Sequence, residues 1–389
     1  MATTINGDTG IDKVVDDTIT TADIQDGAIT AAKIASGAIP NSYAGTKNRI
    51  INGNMAIDQR NAGASVSTSA GAFYYTLDRW AYYAGAASKF TLQQSTTVPS
   101  NYKNSIVITS SSAYSVAAGD IFVIEQPIEG SNVADLGWGT VDAKTVTLSF
   151  WVRSSLTGTF GGSIINSAFN RSYPFTYTIS SADTWEYKTI TIAGDTSGTW
   201  LTTNGVGLYL TVGLGVGSTY SGTAGAWAGA QYWSATGATS VVGTSGATFY
   251  ITGVQLEVGT TATDFENLQY GQQLALCQRY YEKSYNYATA LGTATLSNAI
   301  QTGGTRGGDT TLHIVDHVTY LVQKRAGATV SLWDPAGNAG KVTRDRYGEA
   351  SYPNTTPYIQ GAGENRFIVY STGGSAQSMS FHYQAVAEL

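Results

Sequence analysis

The chain has 389 residues, a formal net charge of −6, 12% charged residues, 45 glycines and 25 tyrosines. A negative balance with no basic stripe excludes a nucleic-acid binder, which neutralises phosphates with Lys and Arg. No run of about 18 apolar residues is present to insert in a membrane, and Cys277, the only cysteine, excludes an internal disulfide.

Thr, Tyr, Val and Ile fit a pleated, half-buried surface, and frequent Gly supplies turns between short strands, so the class expected is all-β. A Tyr-rich, charge-poor surface also suits neutral polyhydroxyl ligands, because an aromatic face packs on sugar C–H groups. Met1 to Gly10 lack the basic-then-apolar plan of a signal peptide, and one cysteine favours assembly in a reducing cytoplasm.

Residues 1–12 read as an attachment peptide and 13–41 as a stalk. Val14, Ile19, Ile24, Ile29, Ile34 and Ile39 recur every five residues, with Gly27 and Gly37 in step. Five matches neither the 3.5 of a coiled coil nor the 2 of a strand; a single helical turn alternating with a short extended piece fits it. One Ile in five buries too little apolar area to offset about 1–2 kcal/mol of backbone entropy per ordered residue. These side chains must therefore meet a partner: symmetry mates in a trimer or dimer, or a surface on which the segment docks.

Residues 42–47 read as a linker and 48–267 as a large jelly-roll β-sandwich. Val146, Leu148, Phe150 and Val152 alternate with Thr147, Ser149, Trp151 and Arg153, the pattern of a half-buried strand. Val206 to Leu214 repeats it. Around Gly253 the apolar phase shifts from Phe249 and Ile251 to Val254, Leu256 and Val258, which predicts a β-bulge. The stretch 215–246 is too long for an ordinary connection, a length often functional. Residues 268–283 read as a linking helix, with Tyr270, Leu274, Cys277 and Tyr281 on one stripe and Cys277 in the core. Residues 284–389 read as a smaller C-terminal β-sandwich.

Three blocks resemble a module of bacteriophage tail-fibre and virion structural proteins. They are Asn48-Arg49-Ile50-Ile51-Asn52-Gly53-Asn54-Met55 with Asp58-Gln59-Arg60 and Leu77-Asp78-Arg79-Trp80; then Leu148 to Arg153; then Phe249 to Glu257 through Thr263-Asp264-Phe265-Glu266 into Leu276-Cys277-Gln278-Arg279-Tyr280-Tyr281. Gly27 to Ile34 also resembles tail-fibre stalks of the Gly-Ala-Ile-Thr-x-x-Lys-Ile kind. The resemblance implies a homotrimer with a jelly roll similar to carbohydrate-binding modules. It would attach through its N-terminus to a phage tail or portal-proximal virion protein and adsorb the virion to a host surface polysaccharide or lipopolysaccharide. A structural virion component that binds no sugar, such as a tail adaptor or capsid decoration, is the alternative; a depolymerase ranks third.

For the glycan face the candidates are Trp227, Tyr232 and Trp233 in the long loop, a core role for Trp233 being the competing reading. In the C-terminal sandwich, the candidate tip, they are Trp333, Tyr352 and Tyr358, near the pattern-breaking Pro353 and Pro357. Asp78-Arg79-Trp80 and Trp151 with Arg153 fit structural locks at strand ends better than a site. No catalytic, metal or cofactor residue is expected. His313 and His317 lie about 13 Å apart along a strand and cannot share a metal within one chain. Two acid pairs, Asp135 with Asp142 and Glu125 with Glu129, stand as the test of a glycosidase, which needs carboxyls about 5–9.5 Å apart.

Overall fold

A computed structural model describes residues 47–303, 313–346, 350–372 and 378–389. The attachment peptide and the stalk from Val14 to Ile39 lie outside the described residues. Lys47 to Leu389 forms one compact unit that is nearly all β.

The first part runs β1 (Val66–Ser67), β2 (Phe73–Tyr75), β3 (Ala81–Ala84), β4 (Phe90–Ser95), β5 (Ser105–Ser110), β6 (Ile121–Glu129) and β7 (Val146–Ser154). It continues with β8 (Gly158–Asn166), β9 (Ser172–Ile179), β10 (Glu186–Ile192), β11 (Val206–Val216), β12 (Ser221–Gly222), β13 (Ser234–Ala235) and β14 (Thr248–Val258). Two six-stranded antiparallel sheets result, in the orders β1-β4-β5-β14-β7-β10 and β2-β3-β6-β11-β8-β9. Their inner faces share one core, including Phe150, Phe160, Phe249, Leu208 and Trp80. The alternation read along β7 is the reason: Val146, Leu148, Phe150 and Val152 point inward, each buried side chain adding about 1.5–3 kcal/mol of hydrophobic stabilisation. The bulge forms where expected, with the β14–β7 register shifting between Thr252 and Gln255. Gly253 has φ +63°, and a Cβ there would sit 2.6 Å from the Tyr102 hydroxyl, so only glycine fits.

The helix α1 (Tyr270–Gln278) links the two sandwiches but is shorter than its apolar stripe suggests. Tyr281–Lys283 forms β15 instead, because its backbone pairs with Val386, Ala385 and Gln384. Tyr270 is exposed, whereas Cys277 is buried with Ile51, Ile57 and Tyr280. The second part adds β16 (Ile300–Gly303), β17 (His313–Thr319), β18 (Thr329–Trp333), β19 (Val342–Arg346), β20 (Ala350–Thr355), β21 (Tyr358–Gln360), β22 (Arg366–Thr372) and β23 (Ser378–Val386). β23 is the spine of one sheet, and β17-β22-β21 form the other. Leu332, Phe367, Val369, Phe381 and Tyr383 fill the space between them.

The two sandwiches are locked by buried charge. Arg279 donates to both Glu129 oxygens at 2.9 and 2.7 Å, and the Tyr280 hydroxyl donates to Glu129 at 2.7 Å. Arg79, fully buried, bonds the Pro127 carbonyl and Glu388 while its guanidinium lies 3.7 Å over the Tyr280 ring. Arg60 does the same from its side, 2.7 Å from Glu388 and 3.9 Å over Tyr281. Gln59 holds the Asp78 carboxylate and reaches the Tyr281 carbonyl at 3.1 Å. The Asp58-Gln59-Arg60, Leu77-Asp78-Arg79-Trp80 and Leu276-to-Tyr281 blocks thus converge on one interface.

Candidate functional site

The outer face of the first sheet is half covered. A strap of residues 259–267 crosses the ends of β7 and β14. There the Glu257 carboxylate accepts from the Thr263 amide at 2.9 Å, and Gln255 Oε1 accepts from the Glu266 amide at 2.9 Å. Glu266 in turn accepts from the amides of Lys47 and Asn48 at 3.2 and 3.0 Å. This satisfies Gln255 and Glu257, which are buried on that face.

The uncovered half carries a continuous aromatic surface. Register places Tyr187 on β10 beside Trp151 on β7, with ring centroids 5.3 Å apart. One row along, Arg153 on β7 faces Tyr250 on β14, its guanidinium 5.1 Å over the ring. Trp185, in the turn before β10, meets Tyr250 edge-on at 6.1 Å. Tyr102 extends the surface toward the strap, packing edge-on against Phe265 at 5.6 Å. Burial pushes the Tyr102 hydroxyl up to about 12, so it stays protonated at neutral pH.

Trp151, Trp185 and Tyr250 are half-buried, and Tyr187 is 42% exposed. These rings are fixed by their neighbours yet open above, which lowers the ordering cost of binding. Half-exposed Thr91, Gln93, Thr109 and Thr248 continue the same face and supply uncharged hydrogen-bonding groups. Arg153 is oriented by Asp183, with Nε bonding its carbonyl at 2.8 Å and Nη2 its carboxylate at 3.1 Å. The surface therefore combines flat apolar plates with uncharged polar groups and one neutralised cation, a set able to hold a neutral polyhydroxyl chain. The alternation of Trp151 and Arg153 with a buried apolar row carried this signal. Periodicity alone does not say whether the outer face is covered, and Arg153 also ties the end of β7 to Asp183, as a strand-end lock would.

The loop candidates fare differently. Trp233 is 2% exposed, folded back onto Val123 and Ile165 with Phe73, Phe169 and Tyr209 around it. It is a core residue, not an open platform, because the outer side of the second sheet is apolar there and needs a cover. Trp227 closes a cluster with Trp138 and Trp200, at 5.3 and 5.4 Å, and its indole donates to the Ala193 carbonyl at 2.8 Å. The Tyr232 ring lies on Gly222, where a Cβ would come within 2.2 Å of it. These three residues do not form one exposed surface.

In the second sandwich, Trp333 is half-buried and borders a cavity of about 450 Å3. Tyr358, 53% exposed, stacks on Tyr370 at 4.9 Å. Tyr352 lies in β20, opposite Arg344 in register.

Of the acid pairs, Glu125 with Glu129 does not have glycosidase spacing. Glu125 and Glu129 lie four residues apart on β6, about 13 Å along a strand, beyond either glycosidase spacing. Burial pushes Glu125 up to about 8. Burial also raises Glu129, but the Arg279 and Tyr280 hydrogen bonds outweigh it and bring the carboxyl below its usual range. Asp135 is held by Arg49 at 2.8 Å. Among the described residues no group of three or more His, Cys, Asp or Glu is placed to hold a metal ion. His382 is buried between Ser284 and the Thr295 carbonyl and stacked on Tyr285 at 3.8 Å, while His317 is exposed on β17.

No protein-family model and no curated protein matches the chain. Among solved structures it is similar to the tailspike protein 4 enzymatically active domain of bacteriophage CBA120. The identity is 12% and the TM-score 0.27, over 55% of this chain and 22% of that one. It is similar to the family 11 carbohydrate-binding module of Clostridium thermocellum in complex with a β-1,3-1,4-mixed-linked tetrasaccharide. There the identity is 12% and the TM-score 0.25, over 52% and 98% of the two chains. It is also similar to the C-terminal family 22 carbohydrate-binding module of Clostridium thermocellum Xyn10B. That match has 13% identity and a TM-score of 0.25, over 50% and 100%.

Proposed function

We propose that this protein is the protomer of a trimeric bacteriophage tail fibre that adsorbs the virion to a host by binding a neutral surface glycan without cleaving it. The observation that carries the binding is the open half of the first sheet, where Trp151, Tyr187, Tyr250 and Trp185 present fixed, half-exposed rings beside Thr and Gln side chains. Consecutive pyranose rings stack across these plates, and the neighbouring polar groups read their hydroxyls. The wide spacing of Glu125 and Glu129 supports binding over hydrolysis. The isoleucine pentads supply the trimer, and the lone Cys277 suits assembly in host cytoplasm.

The test is adsorption of the full chain to host envelope polysaccharide and to a glycan array. Trp151→Ala and Tyr250→Ala each weaken binding about tenfold, or ~1.4 kcal/mol, with the melting temperature unchanged because neither ring is in the core. Binding that survives both substitutions moves the site elsewhere. No sugar-competed binding at all favours the structural virion component, and release of reducing sugar favours a depolymerase.

A further inference from the structure

We propose a second binding site, independent of the glycan reading: the cleft between β18 and β21 accepts an extended, uncharged segment of a partner polypeptide as an added strand. Its cavity of about 450 Å3 is lined on one side by four consecutive residues, Val330 to Trp333. Successive side chains on a strand point to opposite faces. A cavity touching all four therefore runs along the strand's edge, where the main chain is bare.

Among the described strands β18 pairs with β23 alone, so no described strand covers its other edge. Among the described residues only the turn at Asn338–Gly340 bonds that edge: the Gly340 amide donates to the Leu332 carbonyl at 2.7 Å, and the Asp334 amide donates to the Asn338 carbonyl at 3.1 Å. In an antiparallel ladder the N–H and C=O of one residue point the same way, and the direction alternates along the strand. Leu332 therefore faces away from β23, and so does Val330. The turn stops at Leu332, which leaves the Val330 N–H and C=O facing the cleft with no main-chain partner among the described residues.

The opposite wall is Pro357 and Ile359, at β21, itself the edge of the three-stranded sheet. Two open strand edges thus flank one cavity, the arrangement that recruits a further strand. No lining residue is charged, so a charged occupant would lose its water without gaining a partner. Ser331 is the only side-chain hydroxyl on the walls, too little to read a sugar, whereas a strand needs main-chain donors and acceptors.

The experiment is amide hydrogen exchange, resolved to single residues, on the full chain. It is run alone and with two probes: acetyl-Thr-Val-Thr-Val-Thr-amide and the same peptide N-methylated at alternate residues. In the free protein Val330 exchanges roughly 100-fold faster than Ser331, whose amide faces β23. The plain peptide slows Val330 about tenfold or more and the N-methylated one does not, since a methyl removes the pairing N–H. Ile359→Arg, at a position already 38% exposed, keeps the fold and abolishes the peptide effect while sparing glycan adsorption. The proposal is overturned if Val330 is as protected as Ser331 in the free protein, or if Ile359→Arg leaves the peptide effect intact. It is also overturned if maltotriose or cellotriose protects Val330 and the peptide does not.

Discussion

Glu125 sits on β6, in the middle of the second sheet, buried and with Oε2 lacking any hydrogen-bond partner. Burial alone pushes its carboxyl from an ordinary 4.5 up to about 8. Below pH 4.5 the folded and unfolded chains both hold this proton. Between 4.5 and 8 the unfolded chain releases it and the folded chain keeps it, so stability falls as pH rises, by at most about 1.4 kcal/mol per pH unit. Glu125→Gln removes that dependence and stabilises the protein by about 1–3 kcal/mol at pH 7, read from denaturant unfolding across pH 4–9. A variant whose pH slope matches the parent's would show that Glu125 is ionised in the fold. The two tryptophans contrast at the same scale. For Trp233 the sequence left a platform and a core role both open, and it is buried, because the loop returns over Val123 and Ile165. Trp151 in a strand looks structural and lies on an open face. A residue's covering comes from distant segments, which a local pattern does not encode.

At the scale of elements, the interface between the sandwiches gives its own prediction. Arg79 is buried against Glu388, which is almost fully covered. Arg79→Ala leaves that carboxylate buried with Arg60 as its remaining ion-pair partner, 15% exposed. The expected cost is about 3–5 kcal/mol, measured by chemical unfolding. Arg153→Ala, at a pair whose carboxylate side chain is 56% exposed, costs under about 1 kcal/mol. Equal losses at the two positions would mean that the interface is wet. The elements were legible where one face is buried. The β7 alternation, the β14 bulge at Gly253 and the existence of α1 all follow from periodicity and glycine chemistry. The end of α1 was not, because Tyr281 sits on the helical stripe and becomes a strand only when β23, about 100 residues later, supplies its hydrogen bonds. The blocks from Asn48 to Arg60 and Leu276 to Tyr281 could be seen to belong to framework, but not that they meet across one interface.

For the whole molecule, residues 47–389 form one compact unit, so the two sandwiches are expected to unfold together rather than in sequence. The stalk adds a separate expectation. On the proposed reading, six apolar pentad positions bury too little area within one chain, whereas three copies around an axis would bring them together. Light scattering on the full chain at micromolar concentration then gives roughly three times its 40.9 kDa, and a chain beginning at Lys47 gives the mass of a single shortened protomer. In the proposed fibre, a trimer would also set the strength of adsorption. A single aromatic face holds a sugar weakly, and three faces on one stalk raise avidity by about 100-fold or more if all reach the same surface. The shortened chain therefore loses adsorption to polysaccharide while keeping its affinity for a soluble oligosaccharide, a split that calorimetry and cell binding read separately. A full-length species stable at 40.9 kDa, or a shortened chain that adsorbs as well as the whole, removes the stalk from the function.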